Sequence, residues 1–463
     1  MRRAAIALAV VMVFVGARTR AVRPPALPKP LSITRSFLVT DKSIVAPLTL
    51  TRVLSKLIER SGVTGLTPDQ LIRQMFDTQN PAPGLVDPNG PHCNDQFTNG
   101  LPSFNGFPRR CPAPEGTLAA TQTLASEFFT LGLANRFDQA PADGANCGQY
   151  RMVFAHRDKD TIANELVRRH LIFEAVLPNP NPSMGLAACR PVAQFWANLS
   201  SIDSMDERRT RLEQFFFEGI PGFVPVIDQP NLAGAGGIRT FQQALDPVTN
   251  ANARFYQFRL AKQCADGACT LRFVPDVLEN TPFGLLFDAR DESELARSLR
   301  DEFVAQIPTL VIEDVNLINM RISSRYLMAE SNPNNDSAIR FFENAVIAAD
   351  KSPQGTAFRA RMQQELQRAG SNIRTDQLLK RAEELTCAGC HGFNGAVDFG
   401  GQVKLVVGFQ GNQMVSEDIL ADGEDGPKSR FGIDPIIEKQ FAPHRLMITE
   451  EFLKNGTPPV HSQ

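Results

Sequence analysis

The stretch Cys387-Ala388-Gly389-Cys390-His391 is where this sequence most plainly holds chemistry. Two thiols at this spacing can add across the two vinyl groups of a haem, because their separation matches that of the vinyls. The adjacent histidine then falls beneath the iron and offers an imidazole nitrogen. On this reading Cys387 and Cys390 carry one covalent haem c, and His391 is the proximal axial ligand of the iron. Two other readings use the same residues. The thiols could close a disulfide or act as a thioredoxin-like redox pair, which needs a strand before the motif where a helical pattern stands. Zinc would need His444 and His461 to complete its ligands, at a spacing unlike that of any zinc finger.

The sixth ligand separates carrier from catalyst. A methionine thioether closes the iron for electron transfer, whereas an open or water-bound position allows catalysis. Met414 lies in the Gly-rich stretch GFQGNQMVSE after the motif and is the first candidate for the distal metal ligand. His444 is the runner-up, and Met447 also competes.

The elements that must position these residues are helical. TDQLLKRAEEL, with apolar residues at three-to-four spacing, runs straight into the motif, and ITEEFLKNG lies near the end of the chain. Helices on both sides of a CxxCH resemble a small class I cytochrome c domain. The resemblance covers residues 372–463, the last fifth of the chain. It implies an all-α haem domain, a distal methionine delivered by a Gly-rich loop, and electron transfer with a redox partner protein. Met414 follows His391 at a shorter interval than is usual in that family.

Upstream, residues 290–371 read as a helical connecting region, with DESELARSLRDEFVAQI, SAIRFFENAVIAAD and TAFRARMQQELQRAG as helices. Residues 46–289 read as a disulfide-stapled α+β domain. TLTRVLSKLIERSG and TPDQLIRQMFDTQ begin it as helices, the second with Thr67 as N-cap and Pro68 in its first turn. Residues 79–117, rich in Pro, Gly and Asn, read as a long loop held by disulfide chemistry. FFTLGLANRF, QYRMVFAH, RRHLIFEAVL, ARFYQFRLA and TLRFVP read as strands, with PVAQFWANLSS and MDERRTRLEQFFFEG as helices between them. Strands and helices do not alternate cleanly, which favours α+β over a doubly wound sheet. The expected fold class is therefore an α+β N-terminal region followed by an all-α cytochrome c-like C-terminal domain.

The first residues and the remaining cysteines point to export. Arg2-Arg3 precedes the apolar run Ala4–Gly16, and Val15-Gly16-Ala17 suits a signal peptidase. Residues 1–17 thus read as a cleaved signal peptide; the alternative, a membrane anchor, would want about 20 apolar residues. Residues 18–45, rich in Pro and Arg, are expected to be loosely ordered. Of eight cysteines, six lie outside the motif, an even number suited to three disulfides in a periplasmic or extracellular setting. Cys264 and Cys269 flank Asp266-Gly267 between two strand-like runs, as in a hairpin that brings them together. Cys93 with Cys111 and Cys147 with Cys189 follow by elimination. A net charge of −2 excludes a broad electrostatic attraction for nucleic acid, and peripheral membrane contact is left undecided.

No nucleotide fingerprint, HExxH helix or Ser-His-Asp order is present, and AGAGG at 233–237 reads as a flexible turn. A di-haem peroxidase is disfavoured by the single CxxCH. The Asp-Gly-rich stretches 138–144 and 421–426 lack the regular spacing of a calcium loop. Arg136, Asp138, Asp143, His156, His170 and Glu174 are polar candidates, each read most simply as structural or surface polarity. NRFDQAPADGANCGQYRMVFAH, IFEAVLPNPNP and FFEGIPGF look similar to exported bacterial proteins of unassigned role, some ending in a CxxCH domain. The expectation is an exported mono-haem c-type cytochrome for electron transfer, whose N-terminal domain binds a redox partner or small-molecule substrate. The alternatives are an exported binding protein with a structural CAGC, and a haem-dependent oxidoreductase.

Overall fold

The computed structural model describes residues 29–160, 165–244, 254–265, 267–331, 341–392, 398–403 and 415–456. Residues 1–17, expected to be a signal peptide, lie outside the described residues, as do Met414 and His461. In chain order the strands are β1 (Leu38–Val39), β2 (Gln96–Thr98), β3 (Leu101–Phe104), β4 (Phe107–Pro108), β5 (Phe129–Arg136), β6 (Asn146–Asp160), β7 (Glu165–Pro178), β8 (Gly237–Ala244), β9 (Arg254–Ala265), β10 (Ala268–Asp276), β11 (Glu330–Ser331), β12 (Val415–Gly423) and β13 (Gly426–Ile433). The helices are α1 (Lys42–Val45), α2 (Leu50–Ser61), α3 (Pro68–Asp77), α4 (Leu124–Glu127), α5 (Arg190–Leu199), α6 (Met205–Phe217), α7 (Glu294–Ala305), α8 (Ile307–Leu310), α9 (Phe341–Ala349), α10 (Pro353–Arg368), α11 (Thr375–Glu383), α12 (Cys387–Gly392) and α13 (Ala442–Asn455).

An eight-stranded sheet organises the molecule, in the order β1-β5-β6-β7-β8-β9-β10, with β11 also paired to β9. Every pairing is antiparallel. Side chains alternate across such a sheet, so each strand feeds two faces. On one face Tyr150, Met152, Phe154, Phe173, Phe258 and Phe273 are buried in a large apolar core with α2, α3, α5 and α6. Tyr150 stacks on Trp196 of α5, and Phe215 of α6 meets both edge-on. The opposite face, read from the alternate residues of the same strands, is charged.

Local signals explain the helices on the apolar side. Thr67 and Gln70 form a reciprocal capping box with Pro68 in the first turn of α3. Helix α2 buries Leu50, Val53, Leu54, Leu57 and Ile58 along one stripe, and Gly62 ends it in the left-handed conformation.

The three disulfides join Cys93 to Cys111, Cys147 to Cys189, and Cys264 to Cys269. Cys264 and Cys269 face each other across the β9–β10 hairpin. Three disulfides are consistent with an exported protein. No helix among the described residues is long and apolar enough to cross a membrane.

Residues 79–117 are more structured than a stapled loop. They contain the β2-β3-β4 meander, and Asp77 accepts backbone N–H bonds from Leu85, Val86 and Asp87. Gly236 is not part of a loose turn, because a Cβ there would fall 1.9 Å from the Asn231 carbonyl oxygen. Residues 33–45 are not loosely ordered either. Phe37, Leu38 and Val39 are buried, and β1 completes the sheet edge beside β5.

The expected all-α C-terminal domain does not form. Residues 415–433 make the β12–β13 hairpin. Its turn is Glu424-Asp425 between Gly423 and Gly426, inside the stretch weighed above as a calcium loop. The turn residues join two extended runs. The hairpin is tied to the opposite end of the chain: Phe431 N donates to the Thr40 carbonyl, and Glu424 pairs with Arg35 and buried Arg208. The surrounding core is shared as well. Leu131 of β5, Leu299 and Phe303 of α7, Leu378 of α11, Ile433 of β13 and Leu446 of α13 belong to one cluster.

Candidate functional site

The CAGCH segment is the short helix α12, and hydrogen bonds from several elements hold it. Thr386 precedes it and accepts the Gly389 N–H on its hydroxyl at 3.0 Å and the Cys390 N–H on its carbonyl at 3.0 Å. Thr281 accepts from Cys387 N at 3.4 Å, and Ser331 of β11 accepts from Ala388 N at 3.2 Å. The glycine of the motif is sterically required, since a Cβ on Gly389 would lie 1.9 Å from the Glu383 carbonyl oxygen. That close approach lets α11 turn directly into the motif.

Cys387 and Cys390 are the two free cysteines. Cys387 packs against Phe241, Phe255 and Leu278. Burial pushes its thiol up, outweighing nearby Arg239 and the Thr281 hydrogen bond. Burial, reinforced by Glu384, pushes the Cys390 thiol up to about 12. Both therefore stay protonated at neutral pH. A thioredoxin-like pair works through a depressed thiol pKa, so this environment does not suit that reading.

His391 lies over the charged face of the sheet. Its ring stacks on Phe241 of β8 at 5.5 Å and tilts against Phe255 of β9 at 4.7 Å. It lines a cavity of about 70 Å³ with His170, Arg136, Arg151, Glu174 and Arg239, among others. His444 and Met447, on α13, are not among the lining residues.

Four of the polar candidates thus converge: Arg136, Asp138, His170 and Glu174. Glu174 pairs with Arg151 at 3.2 Å and with Arg239 at 3.2 Å. Asp138 pairs with Arg136 at 2.9 Å and lies 3.7 Å from Arg445. His170 Nε2 sits 3.1 Å from Glu417 of β12, which also holds Arg168. Two candidates stay apart. His156 faces Glu127 at 3.5 Å, and Asp143 accepts from Ala145 N in a turn.

Four guanidinium groups therefore share two buried carboxylates, and the electrostatics reflect the excess. Burial, with repulsion from Arg136 and Arg239, brings Arg151 down to about 10 against the pull of Glu174. Burial and Arg136 bring Arg445 down to about 9. Burial opposes ionisation of Glu174, but Arg151 and Arg239 hold its carboxyl below the usual range. Burial likewise opposes Asp138, which Arg136 and Arg445 keep low. Burial opposes the charge of Arg239, but Glu174, Cys387, Glu279 and Cys390 together push it up, and its field reaches both motif thiols. Arg239 Nε and Arg445 Nη1 are buried with no acceptor.

Arg239 also lies 3.8 Å from the exposed Glu279, so the guanidiniums exceed the carboxylates by one, and the propionate carboxylates of a haem would find guanidinium donors here. The donor set also suits haem c: two unpaired thiols and an adjacent imidazole. The zinc reading needs His461, which lies outside the described residues; among the described residues no group of three His, Cys, Asp or Glu that could hold a metal occurs.

Arg151, Arg239 and Arg445 were missed by sequence reading. Arg151 and Arg239 fall on the same strand face as Glu174, and period-two alternation in RMVFAH and GIRTF was the available signal. No family model, curated protein or solved structure matches this chain.

Proposed function

We propose that this chain is an exported mono-haem c-type cytochrome that transfers electrons to or from a redox partner protein. In this reading Cys387 and Cys390 hold the haem through thioethers and His391 supplies the proximal nitrogen. The observation that carries it is that CAGCH, with both thiols unpaired, abuts a buried face where four guanidiniums meet two carboxylates. When bound, the haem supplies one-electron chemistry. The chain's part is to fix the porphyrin, neutralise its propionates with Arg136, Arg151 and Arg239, and exclude water behind Phe241 and Phe255. The space beside His391 is about 70 Å³, so α12 and the Phe241–Phe255 pair must separate to admit a porphyrin. The reading places the chain in the periplasm or outside the cell, with residues 1–17 removed as a signal peptide.

Four residues compete for the distal position: Met414, His444, Met447, and His170, which shares the cavity with His391. A charge-transfer band near the red end of the oxidised spectrum, lost in Met414→Ala, assigns the methionine. Conversion from low to high spin in His170→Ala or His444→Ala assigns that histidine instead.

The deciding experiment is production in a host with cytochrome c maturation, followed by denaturation and a reduced absorption spectrum. Haem should remain with the denatured chain and be absent from the Cys387→Ala, Cys390→Ala double variant. Colourless wild-type protein leaves the alternative, a disulfide-stapled binding protein whose CAGC is structural.

A further inference from the structure

On the other side of α12 lies a second cavity, of about 400 Å³. That is within the range of small-molecule sites, roughly 300–1,000 Å³. Its walls include Phe283, Phe341, Arg109, Arg110, Glu330 and Ala388. The motif helix therefore separates two spaces, with His391 facing one and Ala388 the other.

The lining divides by chemistry. Phe341 meets Phe283 edge-on at 6.3 Å, and the seat is made by a glycine: a Cβ on Gly284 would lie 1.8 Å from the Phe341 ring. Phe342 and Met328 extend this apolar wall. Among the described lining residues the charges balance. Arg109 and Arg110 are matched by Glu330 and Glu383. Arg109 is 8% exposed, and its Nε is a buried donor with no acceptor. Its Nη2 already donates to Gln79 at 3.3 Å. Glu330 accepts from Arg110 N at 3.0 Å through Oε2.

We propose that this cavity binds a small, neutral aromatic molecule bearing hydroxyl or carbonyl groups, of the phenol or hydroquinone class. The rings supply faces for a flat ligand. Arg110, exposed on the cavity wall, can donate to an acceptor oxygen, and Glu330 can accept a hydrogen bond from a hydroxyl. The described lining, with two guanidiniums and two carboxylates, sums to no net charge and so favours neither an anion nor a cation, and a charged ligand would bear the larger desolvation cost. A bound molecule would rest against Ala388, between the two motif cysteines. The site does not depend on the haem reading.

The test uses the full chain, with 4-cresol as the neutral probe and benzoate and benzylammonium as charged ones of similar size. Binding is followed by thermal shift and ligand-observed NMR. The expected result is 4-cresol binding at least about tenfold tighter than either ion. Phe341→Leu should weaken it about tenfold. Glu330→Gln keeps an acceptor for Arg110 N but removes a negative charge, and should shift preference towards benzoate. Absence of 4-cresol binding overturns the proposal, as does benzoate binding more tightly than 4-cresol to the wild type. Binding of 4-cresol unchanged by both substitutions places it elsewhere and overturns it equally. Covalent haem is measured on the same preparations, so failure of that reading is seen separately.

Discussion

The two faces of the large sheet are built from the same strands and do opposite work. One face presents Tyr150, Met152, Phe154 and Phe173 to helices and is closed by aromatic packing. The other presents Arg151, His170, Glu174 and Arg239 to the C-terminal segment that carries CAGCH. An antiparallel sheet can leave one face to water, and here the second face, which sets charged groups among Val153, Ile172, Phe241 and Phe255, is not left to water. Its charges are taken out of water in pairs, at a desolvation cost that ion pairing only partly returns. Stability should therefore reside on the first face, and sensitivity to pH and anions on the second.

The comparison is broken most directly on the apolar face. Trp196 is fully buried against Tyr150, Phe215 and Phe216. Trp196→Ala should cost about 3–5 kcal/mol in urea unfolding, and the spectrum of any bound haem should not change. A loss under about 1 kcal/mol would show that the aromatic cluster is not the stabilising core. The disulfides come next. Cys147 and Cys189 close a separation of 42 residues, and Cys264 and Cys269 one of only 5. Loop entropy gives about 4 kcal/mol for the first and about 2 for the second, measured as paired serine variants by chemical denaturation.

On the charged face, Glu174→Gln leaves Arg151 and Arg239 without their shared carboxylate and should cost about 3 kcal/mol at neutral pH. The sign of its pH dependence follows from the depressed folded pKa. The contribution is present above the unfolded value of about 4.3 and is lost as pH falls through the folded one. The gap between wild type and variant in denaturation series should close in acid; a gap constant with pH would mean that packing, not charge, is responsible.

A second pH dependence, of opposite sign, concerns Glu384, beside Cys390. Burial, then Glu383, pushes its carboxyl up to about 8. The folded chain then holds a proton that the unfolded chain releases near 4.3, so stability should fall as pH rises from about 4.3 to about 8. Glu384→Gln should flatten that slope in a pH series of melting temperatures. An unchanged slope would place the titrating group elsewhere.

The sequence by itself determined what depends on local pattern. Apolar spacing marked α2, α3, α5, α6, α7, α10 and α11, alternation marked β5, β6, β7, β9 and β10, and Asp266-Gly267 marked the hairpin that pairs Cys264 with Cys269. Thr67 and Gln70 specify a helix start through bonds within one turn, and such bonds need no distant partner. CAGCH was legible for the same reason. Only the tertiary structure decided which residues would face it. Arg136, Arg151, Glu174 and Arg239 are scattered over about a hundred positions and resemble surface polarity one at a time. They become a site because strand register places them on one side of one sheet, and register is a non-local property set by pairing. The C-terminal hairpin was hidden by the same logic. Its Asp-Gly-rich turn carries no local sign of Thr40, Arg35 and Arg208, hundreds of residues upstream, which hold it as a hairpin.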